Sequence, residues 1–119
     1  MNRPLPVKIS AVLLCAILLT AASALAQSQH EMNQQAEADF NKADAELNRA
    51  YKKLLNGLDA ESQKKLKAAQ RAWLAFRDAQ AEFAADAEAR GGSMQPMIYF
   101  GARAELTRER TKQLHPASQ

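Results

Sequence analysis

Cysteine is almost absent from this chain. Its 119 residues include one, Cys15, which lies within an apolar run near the N-terminus. Leu14 precedes it where lipoprotein signals carry a small residue, and apolar sequence continues past it, so we expect Cys15 to be removed with a signal. No cysteine remains after that segment. Export normally permits disulfides, but this domain must be held together by packing alone.

The sequence also lacks the side-chain sets on which enzymes depend. Its two histidines, His30 and His115, fall near the ends of the predicted domain. No metal-ligand spacing and no phosphate-binding glycine loop is present. The carboxylates of Asp86 and Glu88 are two residues apart and so do not share a helix face. We therefore predict a protein that is not an enzyme and that has no cofactor and no metal.

The chain also lacks an excess of charge of either sign. The formal net charge is +3. Without Arg3 and Lys8 the chain keeps 14 basic and 13 acidic residues. A balance this even gives no indication of nucleic-acid binding.

An export signal is present at the N-terminus. Arg3 and Lys8 precede the apolar run from Ile9 to Leu19, and Ala24-Leu25-Ala26 resembles a signal-peptidase site. The alternative, a transmembrane anchor, requires about 20 apolar residues. We predict a signal peptide over 1–26, cleaved after Ala26, and a single domain over 27–119. The product would be periplasmic or secreted, without stable membrane insertion.

Three segments of the predicted domain show helical periodicity. The apolar positions of the first are Met32, Ala36, Phe40, Ala43, Leu47, Tyr51, Leu54 and Leu58; those of the second are Leu66, Ala69, Trp73, Phe76, Phe83 and Ala87; those of the third are Ile98, Ala102, Leu106 and Leu114. A left-handed Gly57 is expected to end the first helix, Asp59 to cap the second, Pro96 to open the third and Pro116 to close it.

The first two helices are separated by a very short connection, which favours an antiparallel hairpin. The predicted fold is therefore all-α: a long antiparallel helical hairpin plus a third helix, forming a three-helix bundle. We expect a monomer or a weak dimer.

This arrangement concentrates charge at two ends. The basic pole, at the hairpin turn, comprises Arg49, Lys52, Lys53, Lys64, Lys65, Lys67, Arg71, Arg108, Arg110 and Lys112. The acidic pole, at the opposite end, comprises Glu31, Glu37, Asp39, Asp44, Asp78, Glu82, Asp86 and Glu88, together with the loop from Gly91 to Pro96. A nearly neutral domain would then be strongly dipolar.

Two polar-aromatic clusters lie on the first two helices. Their members are Asp44, Asn48 and Tyr51, and Gln70, Trp73, Arg77 and Asp78. We expect these seven residues to form a structural core, with Arg77 pairing across the hairpin with Asp44. Buried polar groups must be paired in any fold, so a binding role is the minor alternative.

The same segments resemble the LprI-type lysozyme inhibitor N-terminal domain family of small exported bacterial proteins. The matching stretches are EMNQQAEADFNKADAELNRAY, LKAAQRAWLAFRDAQAEF, GGSMQPMIY and ELTRERTKQL. The resemblance implies an extracytoplasmic helical domain and, for some members, inhibition of lysozyme. The chain departs from the family pattern where Gln35, Ala81 and Ala102 stand near the usual cysteines.

Two functions follow as hypotheses. In the first, a periplasmic protein binds and inhibits a lysozyme-type muramidase by protein–protein contact, using a surface composed of Glu82, Asp86, Glu88, Gly91, Gly92, Ser93 and Met94. In the second, a non-enzymatic envelope adaptor or stress protein docks its basic pole on anionic lipid or on an acidic partner.

Overall fold

A computed structural model describes Asn2 and residues 11–115, which fold into three α-helices. Helix α1 spans Ala11–Asn56, α2 spans Ala60–Ala89 and α3 spans Gln95–Leu114. No strand occurs among these described residues, so the all-α prediction with three helices is confirmed. Arg3, Lys8, Ile9 and Pro116, which the sequence analysis used, lie outside the described residues.

The hairpin turn is built from local hydrogen bonds. The Gly57 and Leu58 amides donate to the carbonyl oxygens of Leu54 and Leu55 at 3.1 and 3.2 Å, which tightens the last turn of α1. Gly57 does not adopt the left-handed conformation that we expected; among the described glycines, that conformation belongs to Gly91. Asp59 caps α2 as predicted, because its carboxylate accepts from the Ser62 amide at 2.8 Å. That hydrogen bond holds the pKa of Asp59 below its ordinary value.

Helix α3 packs along both of the other helices. It runs parallel to α1, since Phe100 lies against Phe40 near its start and Leu114 lies against Ala50 at its end. It runs antiparallel to α2, because Arg103 reaches Asp78 and Arg110 reaches Gln70. The C-terminal end of α3 therefore returns to the basic pole.

The core is small and rich in alanine. Its buried apolar residues are Phe40, Ala43, Leu47, Ala50, Ala81, Ala85, Ala104 and Leu114. Leu47 and Leu114 pack with the half-buried Tyr51 and Trp73 near the turn. The apolar face predicted for α1 is confirmed from Phe40 to Leu58, because every predicted position in that range is buried or half-buried. Met32, at the N-terminal end of the predicted face, is exposed.

The inner face predicted for α2 was wrong at four of its six positions, and only Leu66 and Trp73 are half-buried. Phe76 and Phe83 are 53% and 69% exposed, and Ala69 and Ala87 are exposed as well. The buried residues are instead Gln70, Arg77, Ala81 and Ala85. Gln70 and Arg77 can be buried because each has a polar partner on a neighbouring helix, and the alanines allow the helices to approach closely.

The inner face of α3 is also displaced from the predicted one. Ala104, Thr107 and Leu114 are buried, while the predicted Ile98, Ala102 and Leu106 are half-buried. Because α3 touches two helices, its contact face is wide, and the apolar residues lie along its borders.

The N-terminal part of α1 extends beyond the bundle. Residues 12–28 are all exposed. Near its N-terminus α1 also contains a window of 18 residues, none of it buried, that is apolar and long enough to cross a membrane. A signal sequence near an N-terminus meets the same criterion. Every buried residue in the described part of the chain lies between Phe40 and Leu114, so the chain from Gln27 onward retains this core.

Candidate partner-binding site

The loop between α2 and α3 is held by several hydrogen bonds. Gly91 adopts a φ of 67°, which only glycine takes readily, and its amide donates to Oε1 of Gln95 at 3.1 Å. The Gly92 amide donates to the carbonyl oxygen of Ala89 at 2.8 Å. From α1, Nδ2 of Asn33 donates to the carbonyl oxygen of Ser93 at 3.0 Å. The loop is therefore held to all three helices.

The predicted loop residues are accessible. Gly91, Gly92, Ser93 and Met94 are exposed, and Met94 leaves 46% of its surface open. An open cleft of about 620 Å³ separates the loop from α1. It is lined by Leu25, Ala26, Ser28, Gln29, His30, Met32, Asn33, Gly92, Ser93, Met94 and Pro96. Cleavage after Ala26 would remove one wall of this cleft.

The three predicted acidic residues do not contribute equally. Arg90 donates through Nε and Nη2 to the two carboxylate oxygens of Asp86, at 2.8 and 2.6 Å. This paired contact raises the pKa of Arg90 and compensates the charge of Asp86. Glu82 and Glu88 are exposed and form no ion pair with a described residue. They carry the uncompensated negative charge of α2 near the loop.

The predicted polar-aromatic core is centred on Arg77, whose side chain is 5% exposed. Its Nη1 donates to Asp44 of α1 at 3.1 Å, as the sequence analysis proposed, and its Nε donates to Asp78 at 2.9 Å. Arg103 of α3 donates to the same oxygen of Asp78 at 3.0 Å. A chain of two arginines and two carboxylates thus joins all three helices.

The ionisation of Asp78 reflects this network. Partial burial opposes its charge, but the hydrogen bonds and charges of Arg77 and then of Arg103 outweigh burial. The pKa of Asp78 consequently lies below its ordinary value.

Aromatic rings flank the same arginines. The guanidinium carbon of Arg103 is 3.9 Å from the ring centre of Phe40, and that of Arg77 is 5.1 Å from it. Arg77 also lies 5.3 Å from Trp73. Contacts of this length are attractive because the ring face is electronegative.

The other predicted core residues differ in how deeply they are buried. Gln70 is buried and accepts from Nε of Arg110 at 3.0 Å, while Tyr51 and Trp73 are half-buried. Asn48 is exposed, and its amide reaches Asp44 at 3.4 Å.

Sequence reasoning missed the contribution of α3 to this cluster. Arg103 lies over the ring of Phe40 on α1 and donates to Asp78 on α2. Arg110 lies near the ring of Trp73 and donates to Gln70, both on α2. The two arginines are seven residues apart, which places them on one helix face, and that spacing could have indicated their role. The cluster ties the three helices together.

The chain is similar to a known protein family. A family model described as lysozyme inhibitor LprI matches residues 20–114. An uncharacterized protein of Rhizobium meliloti (strain 1021) is 43% identical in an alignment that covers 75% of this chain and 73% of that protein. No solved structure matches the chain.

Proposed function

Because the chain belongs to the lysozyme inhibitor LprI family, we propose that it is an exported inhibitor of lysozyme-type muramidases. It acts by protein–protein contact and performs no chemistry of its own. The contact surface is the loop Gly91–Met94 together with the neighbouring carboxylates of Glu82 and Glu88.

The observation that carries this proposal is the combination of a fixed loop with uncompensated acidic charge. A loop already held by Asn33 and Gln95 loses little conformational entropy when it binds. Lysozyme-type enzymes are cationic, so negative charge at this end of the molecule accelerates the encounter. Met94 adds an exposed, flexible apolar side chain that adapts to the walls of a cleft.

The apolar N-terminal part of α1 supports the proposed export from the cytoplasm. Its position, its exposure and the Ala24-Leu25-Ala26 sequence fit a signal peptide. An inhibitor located in the periplasm would meet muramidases at their substrate.

The test is a lysozyme assay on cell-wall substrate with the chain from Gln27 onward. Dose-dependent inhibition is expected, weaker at high salt because the Debye length falls from about 30 Å at 0.01 M to about 8 Å at 0.15 M. The double variant Glu82→Lys with Glu88→Lys should weaken inhibition about tenfold, since it reverses the steering charge.

A matched control has the same change of net charge away from the loop. Glu105→Lys with Glu109→Lys reverses two exposed carboxylates in the part of α3 that leads to the basic pole, and it should inhibit like the parent protein. Equal potency of both double variants would contradict the proposed contact surface. Absence of inhibition by a helical, folded protein would contradict the inhibitor function itself.

The second candidate function, docking through the basic pole, also has an observation in its favour. Arg49, Lys52, Lys53, Lys64, Lys65, Lys67 and Arg71 are all exposed, and none forms an ion pair with a described residue. Basic residues near an anionic membrane contribute about 1 kcal/mol each. Sedimentation with anionic vesicles at low salt tests this alternative, and the Glu82 and Glu88 variants should not reduce it.

A further inference from the structure

An apolar stripe runs along the outer face of α2. Its two rings, Phe76 and Phe83, are 53% and 69% exposed. The stripe, which we call the outer stripe, also includes the exposed residues Ala72, Ala79, Gln80 and Ala87. These positions share one helix face, because successive residues are rotated by about 100° in a helix with 3.6 residues per turn.

Nothing in the described part of the chain covers this stripe. The opposite face of α2, with Gln70, Arg77, Ala81 and Ala85, is the buried one, and α2 packs mainly against α3. Soluble proteins seldom leave two aromatic rings on one face open to water, and such patches mark interaction sites.

The outer stripe is symmetric about the midpoint between Ala79 and Gln80. Reversing the helix about that point exchanges Phe76 with Phe83 and Ala72 with Ala87. When two such helices lie antiparallel, each ring would therefore meet a ring and Ala72 would meet Ala87, while Ala79 would lie opposite Gln80. A surface that is complementary to itself in this way fits a two-fold contact, in which residue i meets j and j meets i.

The charges of α2 agree with the same orientation. Its N-terminal half exposes four basic residues, Lys64, Lys65, Lys67 and Arg71, against Glu61. Its C-terminal half carries Glu82, Asp86 and Glu88. Antiparallel pairing places the basic half of one helix beside the acidic half of the other. Parallel pairing would place like charges together.

We propose that the outer stripe binds a second copy of this chain, forming an antiparallel two-fold dimer through α2. A phenylalanine offers about 200 Å², so the open parts of the two rings supply roughly 250 Å² from each chain. With the flanking alanines the contact stays at the lower end of specific interfaces, where complexes are transient. We therefore expect a weak dimer that exchanges with the monomer.

The first test is sedimentation velocity of the chain from Gln27 onward, from micromolar to millimolar concentration. Self-association is expected for the parent protein, and it should weaken at high salt. Phe76→Ala with Phe83→Ala should raise the dissociation constant at least tenfold. Met32→Ala with Met94→Ala removes two other exposed apolar side chains and should leave association unchanged. A parent protein that is monomeric throughout, or equal effects of the two double variants, would overturn the proposal.

The second test examines the register of the two helices, and it uses substitutions at exposed positions that should not destabilise the fold. The chain from Gln27 onward has no cysteine, so a single introduced cysteine reports on one position. In the antiparallel register, residue 79 lies within about 2 Å of its copy along the axis, and residue 65 lies about 40 Å from its copy. Oxidation should therefore cross-link Ala79→Cys efficiently and Lys65→Cys hardly at all. Equal cross-linking of both variants, or of neither, would contradict this dimer. Sedimentation and cross-linking measure self-association without any lysozyme present, so failure of the lysozyme assay would not affect this result.

Discussion

Replacing Arg77 should show what holds the three helices together. Arg77→Ala removes two charge-assisted hydrogen bonds, which usually contribute about 1.5–3 kcal/mol each. Asp44 and Asp78 are 36% and 43% exposed and regain water, so we discount each bond to about 1 kcal/mol. Loss of two buried methylene groups adds roughly 1.6 kcal/mol. The expected loss is therefore about 3.5 kcal/mol, a large share of the roughly 5–15 kcal/mol that stabilises a small domain.

Urea unfolding followed by far-ultraviolet circular dichroism measures this loss. Arg77→Met retains the aliphatic part of the side chain, so it isolates the polar contribution and should lose about 2 kcal/mol. Arg71→Ala is the matched control, because Arg71 is exposed on the same helix and its removal should change stability by no more than about 0.5 kcal/mol. A loss of less than about 1 kcal/mol for Arg77→Ala relative to Arg71→Ala would refute the reasoning.

Two further predictions concern single polar groups. The Oγ1 atom of Thr107 is buried without a hydrogen-bond partner among the described residues. Thr107→Val should therefore raise the unfolding free energy by about 1 kcal/mol. A clear loss of stability in urea unfolding would show instead that the hydroxyl has a partner. The pKa of Asp78 is lowered in the folded state, so the unfolded state binds more protons at acidic pH. The ionised carboxylate therefore stabilises the fold. This stabilisation is complete above the ordinary aspartate pKa near 3.9 and is lost as pH falls through the folded pKa. Asp78→Asn should accordingly flatten the fall in thermal stability below about pH 4 relative to the parent protein, and identical profiles would contradict the assignment.

The helices themselves were readable from the sequence, because each has local signals. Asp59 precedes a helical segment and caps it, and Pro96 lies in the first turn of α3. The apolar spacing of α1 identified its buried face, since that helix places its larger residues inside. Local chemistry therefore sufficed for the elements and for their order.

The faces of α2 and α3 were not readable in the same way. Hydrophobic periodicity assigns phenylalanine to the interior and arginine to the surface, whereas Arg77 is buried and Phe83 is 69% exposed. What reverses the assignment is tertiary: Arg77 finds carboxylates on its own and a neighbouring helix, and alanines provide close packing. A single sequence does not reveal that Arg103 and Asp78 will meet, because they are 25 residues apart. The loop was located correctly, but its anchoring by Asn33, 60 residues from Ser93, depends on the folded arrangement.

The arginine network also bears on how a domain without disulfides remains folded. A disulfide would tie two helices at one point and contribute about 2–4 kcal/mol. Arg77 and Arg103 instead connect α1, α2 and α3 through Asp44, Asp78 and Phe40. Such ties depend on charge, so acid weakens them and reductant does not. A protein held in this way keeps its fold in any redox environment, and its stability varies with pH through the carboxylates that its arginines share.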